Sequence, residues 1–390
     1  MNKKRILLTT SHWTSARAIL ESLGKQGHEL LLIDDRPHGP RAETFFSKYC
    51  TKSFLCEAKG ANKANYVDFV LNILRKENID LFIPICDRDV EYFSEIEDEV
   101  RRHAHMVLAS RKLIDLAGNK DKTYRFCMEH GFNIPKTYFP VSMEEISQLA
   151  DQITYPCLAK AAKATANEGN TYFQTKEGLL GFYKNFAGKP IWPVLQEFIH
   201  GDVASFSAVC DQGKVLGHFM MHIEYKHSIG APAVARSTND PALLDLSTRI
   251  IRKLEWTGAI NFDLIREPQG EYKLMEINPR FGGSICLAYR LGVDLPLILY
   301  SLAFDQQPLY KTDYADGWIL RDLFPTELVY CIQDRKHIPL FFKNFFVSRS
   351  VIDMNWGDPG LLLAMIRNSF IEMKGEFVRR SRLKAGESKI

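Results

Sequence analysis

A parallel α/β domain followed by an α+β region is the fold class that this 390-residue sequence predicts. Three observations carry that expectation. The first hundred residues alternate short apolar runs with helical periodicity, the pattern of a parallel sheet with right-handed helical crossovers. From Ile153 the texture changes to short strands punctuated by Gly169, Gly201 and Gly213. Near the end of that region two strands face each other across the turn Pro268-Gln269-Gly270, and one of them sets a polar residue at every second position.

The elements follow in order. Arg5–Thr10 reads as a buried strand, and Thr14–Gln26 as a helix with Ala16, Ile19, Leu20 and Leu23 on one face. His28–Asp35 is a second strand ending in two acids, Asn65–Ile79 has helical spacing, and Asp80–Asp89 begins as a strand that ends at Pro84-Ile85-Cys86. In such sheets ligand sites lie at the carboxyl ends of strands, here Thr9–Trp13, Asp34-Asp35 and Cys86–Asp89. The first strand-to-helix turn, "TTSHWTSA", has no glycine, so a dinucleotide fingerprint is excluded, and no P-loop motif occurs anywhere. A helix over Lys120–His130 stops at Gly131. Strands then come at Tyr155–Ala162, Gly169–Thr175, Trp192–Ile199, Val203–Asp211 and Gly213–Lys226, a helix at Pro241–Leu254, and the paired strands Gly258–Glu267 and Tyr272–Arg280. The last eighty residues are aromatic-rich and carry Phe341, Phe342, Phe345, Phe346 and Trp356, as core or as a platform for a partner.

Composition narrows the function classes. Apolar residues make up 46% and charged residues 25%, ordinary for a folded chain with an ample core. Fifty Lys/Arg against 47 Asp/Glu give a net charge of +3, too small for a nucleic-acid binder. The final twenty residues, with six Lys/Arg and three Glu, carry the same excess, so a basic tail touching a membrane surface is one expectation and a solvated end the other. Eight cysteines without a C-x-x-C pair point to reduced thiols. Three apolar residues after Lys3-Lys4-Arg5 are too few for a secretory leader, and no run reaches the eighteen or so that a membrane span needs. A cytoplasmic protein is the expectation.

The chemistry concentrates in "LMEINPRFGGS", Leu274–Ser284. In a strand, Glu276, Asn278 and Arg280 project from one face while Ile277 and Met275 pack on the other. Antiparallel pairing through the turn brings Asp263 beside Glu276, and two adjacent carboxylates repel unless a cation or proton lies between them. Two carboxylates and an amide oxygen make a hard shell suited to Mg²⁺, and Arg280 adds a planar fork for phosphate or carboxylate. A surface ion pair between Glu276 and Arg280 is the plain alternative. Against it stands Gly282-Gly283, a turn of the kind that admits a ligand close to the backbone.

Glu276-Ile277-Asn278-Pro279-Arg280, with Asp263 thirteen residues upstream, resembles the signature of the ATP-grasp superfamily, and most of all its carbamoyl-phosphate-synthetase-like branch. The resemblance covers roughly residues 5–300 and implies a Rossmann-like domain at 1–115 and a two-subdomain ATP-grasp fold at 116–310. Its mobile lid would span about 150–205, and an extension would follow at 311–390. It implies ATP with Mg²⁺, or Mn²⁺ in its place, held at Asp263, Glu276 and Asn278. Lys122 and Lys160 would contact the ATP phosphates, Glu197, Phe198 and Ile199 the adenine, and Asp202 the ribose. Arg280 would steady the transferred phosphoryl group, and Arg236, in a segment that also holds His222, Lys226 and His227, would bind the substrate carboxylate. One departure is the lid loop at 161–170, whose only glycine is Gly169, so that Lys163, Thr165 or Asn167 side chains would do part of what backbone amides do elsewhere.

The reaction so implied joins a small-molecule carboxylate to an amine through an acyl phosphate, releasing ADP and phosphate. A bicarbonate-phosphorylating enzyme of the same fold and a non-catalytic ATP-binding protein are the alternatives. His222 or His227 would serve as base for the nucleophile, Ser11, His12, Trp13, Asp87 and Arg88 would hold the second substrate, and a homodimer is left open.

Overall fold

The computed structural model describes residues 2–57, 60, 62–162, 169–226, 232–306 and 313–384. Continuously apolar runs build the first sheet. Strands β1 (Arg5–Leu8) and β2 (Glu29–Asp35) are buried along almost their whole length, β3 (Cys50–Cys56) is a largely exposed edge, and β4 (Leu81–Ile83) is short and buried. All pair in parallel in the order β3-β2-β1-β4. The helices Thr14–Lys25 and Lys63–Lys76 form the crossovers. The strand β3 escapes a reading by periodicity because its exposed residues, Thr51, Lys52 and Ser53, interrupt any apolar run.

The second sheet is small and antiparallel, with β5 (Thr137–Tyr138), β6 (Cys157–Lys160), β7 (Asn170–Phe173) and β8 (Val194–Glu197) in the order β5-β8-β6-β7. The helices Met143–Gln152 and Lys176–Tyr183 cover it, burying Ile146, Ala150, Leu179 and Tyr183 against Cys157, Ala159 and Leu195.

The third sheet has seven strands: β9 (Asp202–Asp211), β10 (Lys214–Lys226), β11 (Pro232–Ser237), β12 (Gly258–Arg266), β13 (Tyr272–Asn278), β14 (Ile319–Arg321) and β15 (Ser350–Ile352). Their order is β13-β12-β9-β10-β11-β14-β15. Side chains of alternating direction feed two cores. Phe206, Phe262, Leu274 and Ile277 pack with Leu243, Ile250 and Leu254 of the helix Pro241–Leu254. Val209, Phe219 and Met221 pack with Ile285, Leu295 and Ile298, and through them with Ile19 and Leu23 of the first domain.

The segment after residue 312 is not an appended layer. Through β14 and β15 it continues the central sheet, and its long helix, Pro359–Lys384, buries Leu361, Ala364 and Met365. The seam with the first domain is ionic. Arg17 lies 3.2 Å from both Asp322 and Asp353. Arg290 donates to both oxygens of Glu21, at 2.9 and 2.7 Å, and to Asp353 at 3.2 Å. All eight cysteines are free thiols. Among the described residues, no helix is long and apolar enough to cross a membrane.

Candidate active site

The site starts from the pairing of β12 with β13. Asp263 stands opposite Glu276, and Asn261 opposite Asn278. One step further along, the partner of Leu264 is Leu274, so Met275 is an extra residue and forms a bulge. The bulge decides the chemistry. In an unbroken strand Leu274 and Glu276 would share a face; here Leu274 and Ile277 enter the core with Phe262 and Leu264, while Glu276 turns to the opposite face with Asp263. The Met275 carbonyl accepts a 2.7 Å hydrogen bond from the Tyr124 hydroxyl.

Two lysines converge on this pair of acids from different elements. Lys120 opens the helix Lys120–Glu129, whose N-cap is Asn119. Its ammonium is 2.9 Å from a Glu276 oxygen and nearly buried. Lys160 ends β6 of the small sheet, is only 4% exposed, and donates to the Tyr124 hydroxyl at 2.9 Å. Tyr124 thus anchors the Lys160 ammonium to the bulge. Burial lowers the Lys160 pKa to about 8, with Glu276 and Asp263 pulling it partly back. Burial raises that of Glu276, helped by the negative charges of Asp263 and Asp87 and opposed by Lys120. Each group is pushed toward its neutral form, the signature of charges still short of compensation.

Asn278 donates to Asp263 at 3.3 Å and accepts from Arg280 at 3.2 Å. The Arg280 guanidinium also pairs with Asp87 at 3.0 Å and lies 4.7 Å above the Trp13 ring. Next to Trp13, His12 points its Nδ1 at the buried Asp34 carboxylate, 2.9 Å away, and stacks on His38 at 4.5 Å. A cavity of about 240 Å³ opens beside Glu276 and Asn278, lined also by Asp87, Arg88, Arg111 and Gly118. Between the small and large sheets runs the connector of Phe198, Ile199, His200 and Gly201. Glu197 at its head is 3.6 Å from Lys136, and Asp202 at its foot is exposed. A Cβ on Gly201 would lie 2.2 Å from the Arg266 carbonyl oxygen, so only glycine lets the connector pass.

Several sequence expectations require correction. Lys122 is exposed and pairs with Asp115; the lysine at the acids is Lys120. Two residues apart on a helix the side chains diverge by about 200°, so only one of the pair can face the cleft. Arg236 does not reach the site. Across the sheet Asp263, Ser205, Met221 and Ser237 form one row, while Leu264, Ala204, His222 and Arg236 form the next, on the opposite face. Arg236 there binds Glu224 at 2.7 Å and the Gly317 carbonyl, and His222 meets Tyr272. Gly282 makes a close approach to protein: a Cβ would sit 2.4 Å from the Asn261 amide oxygen, which also accepts from Ser205 and Ser207. Lys163, Thr165, Asn167 and His227 lie outside the described residues. Sequence reasoning missed Tyr124, Asn261 and Lys120. For Lys120 the capping residue Asn119 was a usable signal, because it fixes the phase of the helix that follows.

The donor set fits a magnesium ion. Asp263, Glu276 and Asn278 supply hard oxygen ligands on one face. Residues 117–284 match the family model of the ATP-grasp domain. The fold is similar to the biotin carboxylase domain of Hydrogenobacter thermophilus 2-oxoglutarate carboxylase, with a TM-score of 0.64 at 16% identity over 82% of this chain and 74% of that one. It is similar to L-amino acid ligase from Bacillus licheniformis, at 0.63 and 12% identity over 82% and 79%. N5-carboxyaminoimidazole synthetase from Staphylococcus aureus aligns at 0.64 and 11% identity over 86% of each chain. With a parallel first domain, a small antiparallel sheet bearing one lysine and a large sheet bearing paired acids, this chain shares the fold of these proteins and carries an ATP-grasp domain at residues 117–284.

Proposed function

We propose that the chain is an ATP-dependent ligase that activates a substrate carboxylate and couples it to an amine. The observation that carries this reading is the convergence of Lys120 and Lys160, from two separate elements, on the facing carboxylates Asp263 and Glu276. Such a set binds a polyphosphate through a shared cation. Mg²⁺, or Mn²⁺, held by Asp263, Glu276 and Asn278 would neutralise charge on the β- and γ-phosphates. Lys120 and Lys160 add their ammonium groups to the same oxygens. The connector supplies the backbone of Phe198 and Ile199 for the adenine edge, Glu197 for its amine and Asp202 for the ribose.

The acid's carboxylate oxygen attacks the γ-phosphorus, the bond to the β-bridging oxygen breaks, and ADP leaves. Arg280, braced by Asp87 and Trp13, presents its fork to the acyl phosphate. The amine nitrogen then attacks the acyl carbon, phosphate departs, and the amine's proton passes to a base. His12 suits that task better than His222, because Asp34 orients its ring and it adjoins Trp13.

The test is ADP release in the presence of Mg²⁺ with panels of acids and amines. A carboxylate plus an amine should stimulate it, and Glu276→Ala or Lys160→Ala should abolish it. Absence of ATP binding by calorimetry with Mg²⁺ would sink the reading. Similarity of the fold to biotin carboxylases motivates the second reading, phosphorylation of bicarbonate. Stimulation by bicarbonate without any other acid would select it.

A further inference from the structure

The outer face of the helix Pro359–Lys384 should be solvated, since its inner face already packs on the core. It is not polar. Exposed positions recur at 363, 367, 370, 371 and 374, one stripe at helical spacing. They hold Leu363 (68% exposed), Arg367, Phe370 (66%), Ile371 and Lys374, with no acid among them. Just before the helix, Trp356 is 74% exposed. Eight of the fifteen exposed large hydrophobic side chains among the described residues fall between Ile338 and Ile371, so the surplus is local to this stretch of the chain. Scattered apolar residues need no explanation, but a concentrated set marks a contact surface.

Charge selects the partner. Residues 331–390 carry eleven Lys/Arg against six Asp/Glu, and the helix sequence continues through Arg379, Arg380, Arg382 and Lys384. Two of the acids point inward: Asp353 binds Arg17 and Arg290, and Asp358 accepts from Ser47 and the Lys48 amide. The field that reaches solvent is therefore more basic than the count. A second copy docked face to face would bring basic Arg367 and Lys374 to a face that is itself basic. An anionic lipid surface instead takes the apolar residues into its interface and pairs the basic ones with headgroups.

We infer that the outer face of this helix, led by Trp356, docks the enzyme on an anionic membrane surface as a peripheral contact. The experiment uses the full chain with vesicles of phosphatidylcholine alone or with 30 mol% phosphatidylglycerol (about one lipid in three). Co-flotation with the anionic vesicles, at least ~10-fold weaker with the neutral ones and reduced by about 0.5 M NaCl, is expected. Phe370→Glu and, separately, Lys374→Glu should each lower that partition several-fold while Mg-ATP binding stays unchanged, which verifies the fold. No partition into anionic vesicles overturns the inference, as does equal partition into both. A dimer in light scattering that Phe370→Glu converts to monomer also overturns it, because the face would then serve a second copy.

Discussion

Two clusters of charge in this molecule use the same residue types and end in opposite states. At the seam, burial alone would lower the Arg17 pKa, yet Asp322 and Asp353 lift it well above its ordinary value. Arg290, beside Glu21 and Asp353, is raised likewise against the effect of burial. In the cleft, the Lys160 ammonium is buried and its pKa falls to about 8, because Glu276 and Asp263 do not offset the loss of water. At the seam the acids more than offset the burial of their arginines, although burial still raises the Asp322 carboxyl as it raises Glu276. In the cleft the acids do not offset the burial of Lys160, and on the proposed function a ligand bringing both cation and polyanion would complete the set. A protein holds a buried charge for structure where its partners come from its own chain, and for function where they must arrive from outside.

The sharpest way to break the comparison is to empty the seam. Arg17→Met leaves Asp322 and Asp353 without their shared cation, and we expect a loss of about 3 to 5 kcal/mol in urea denaturation with unchanged Mg-ATP affinity in the folded fraction. If stability were unchanged, the seam would not be the structural network described. Glu276→Gln does the reverse. Turnover should fall by about 10²- to 10³-fold, read as ADP release, with little change in urea midpoint, since relief of a buried acid offsets the loss of the Lys120 contact.

Lys160→Met tests whether the cleft is held at a cost. A lysine whose pKa falls from 10.5 to about 8 on folding destabilises the fold at neutral pH by up to roughly 3 kcal/mol. Between about pH 8 and 10.5 the unfolded lysine binds the proton that the folded one has lost, so wild-type stability rises with pH across that window. The variant should therefore be more stable at pH 7, its advantage should shrink toward pH 10.5, and its turnover should be lost. In the wild type, kcat/KM for ATP should decline as pH rises through about 8. The smallest contrast separates two neighbours. Lys120→Met should weaken Mg-ATP binding by about tenfold, while Lys122→Met, removing only the exposed pair with Asp115, should change it less than about twofold.

The small sheet shows why part of the fold escaped the sequence. Its two helices begin at Ser142 and Thr175, whose hydroxyls accept from Glu145 N and Gly178 N. Ser142 and Glu145 have capping-box spacing, a local signal, but each helix is short and its apolar content sparse, so turn glycines and flanking strands dominated the reading. The long strands were easier. Pairing of β12 with β13 follows from alternation and one short turn, both local in sequence, and the bulge at Met275 then sets Asp263 opposite Glu276.

What the sequence by itself determined was therefore the class of the molecule: a parallel first domain, an acid-bearing strand pair, and a buried lysine on a short strand. These depend on periodicity and on residues near one another in the chain. Tertiary structure alone decided which side chains meet. A single bulged residue at Met275 turned Glu276 toward Asp263 and Leu274 into the core. Sheet registry set Arg236 on the far face, and helix phase chose Lys120 over Lys122. In the strands a shift of one residue reverses the direction of a side chain, and packing against distant segments fixes that shift, whereas on the helix two residues suffice and the cap at Asn119 helps to set the phase.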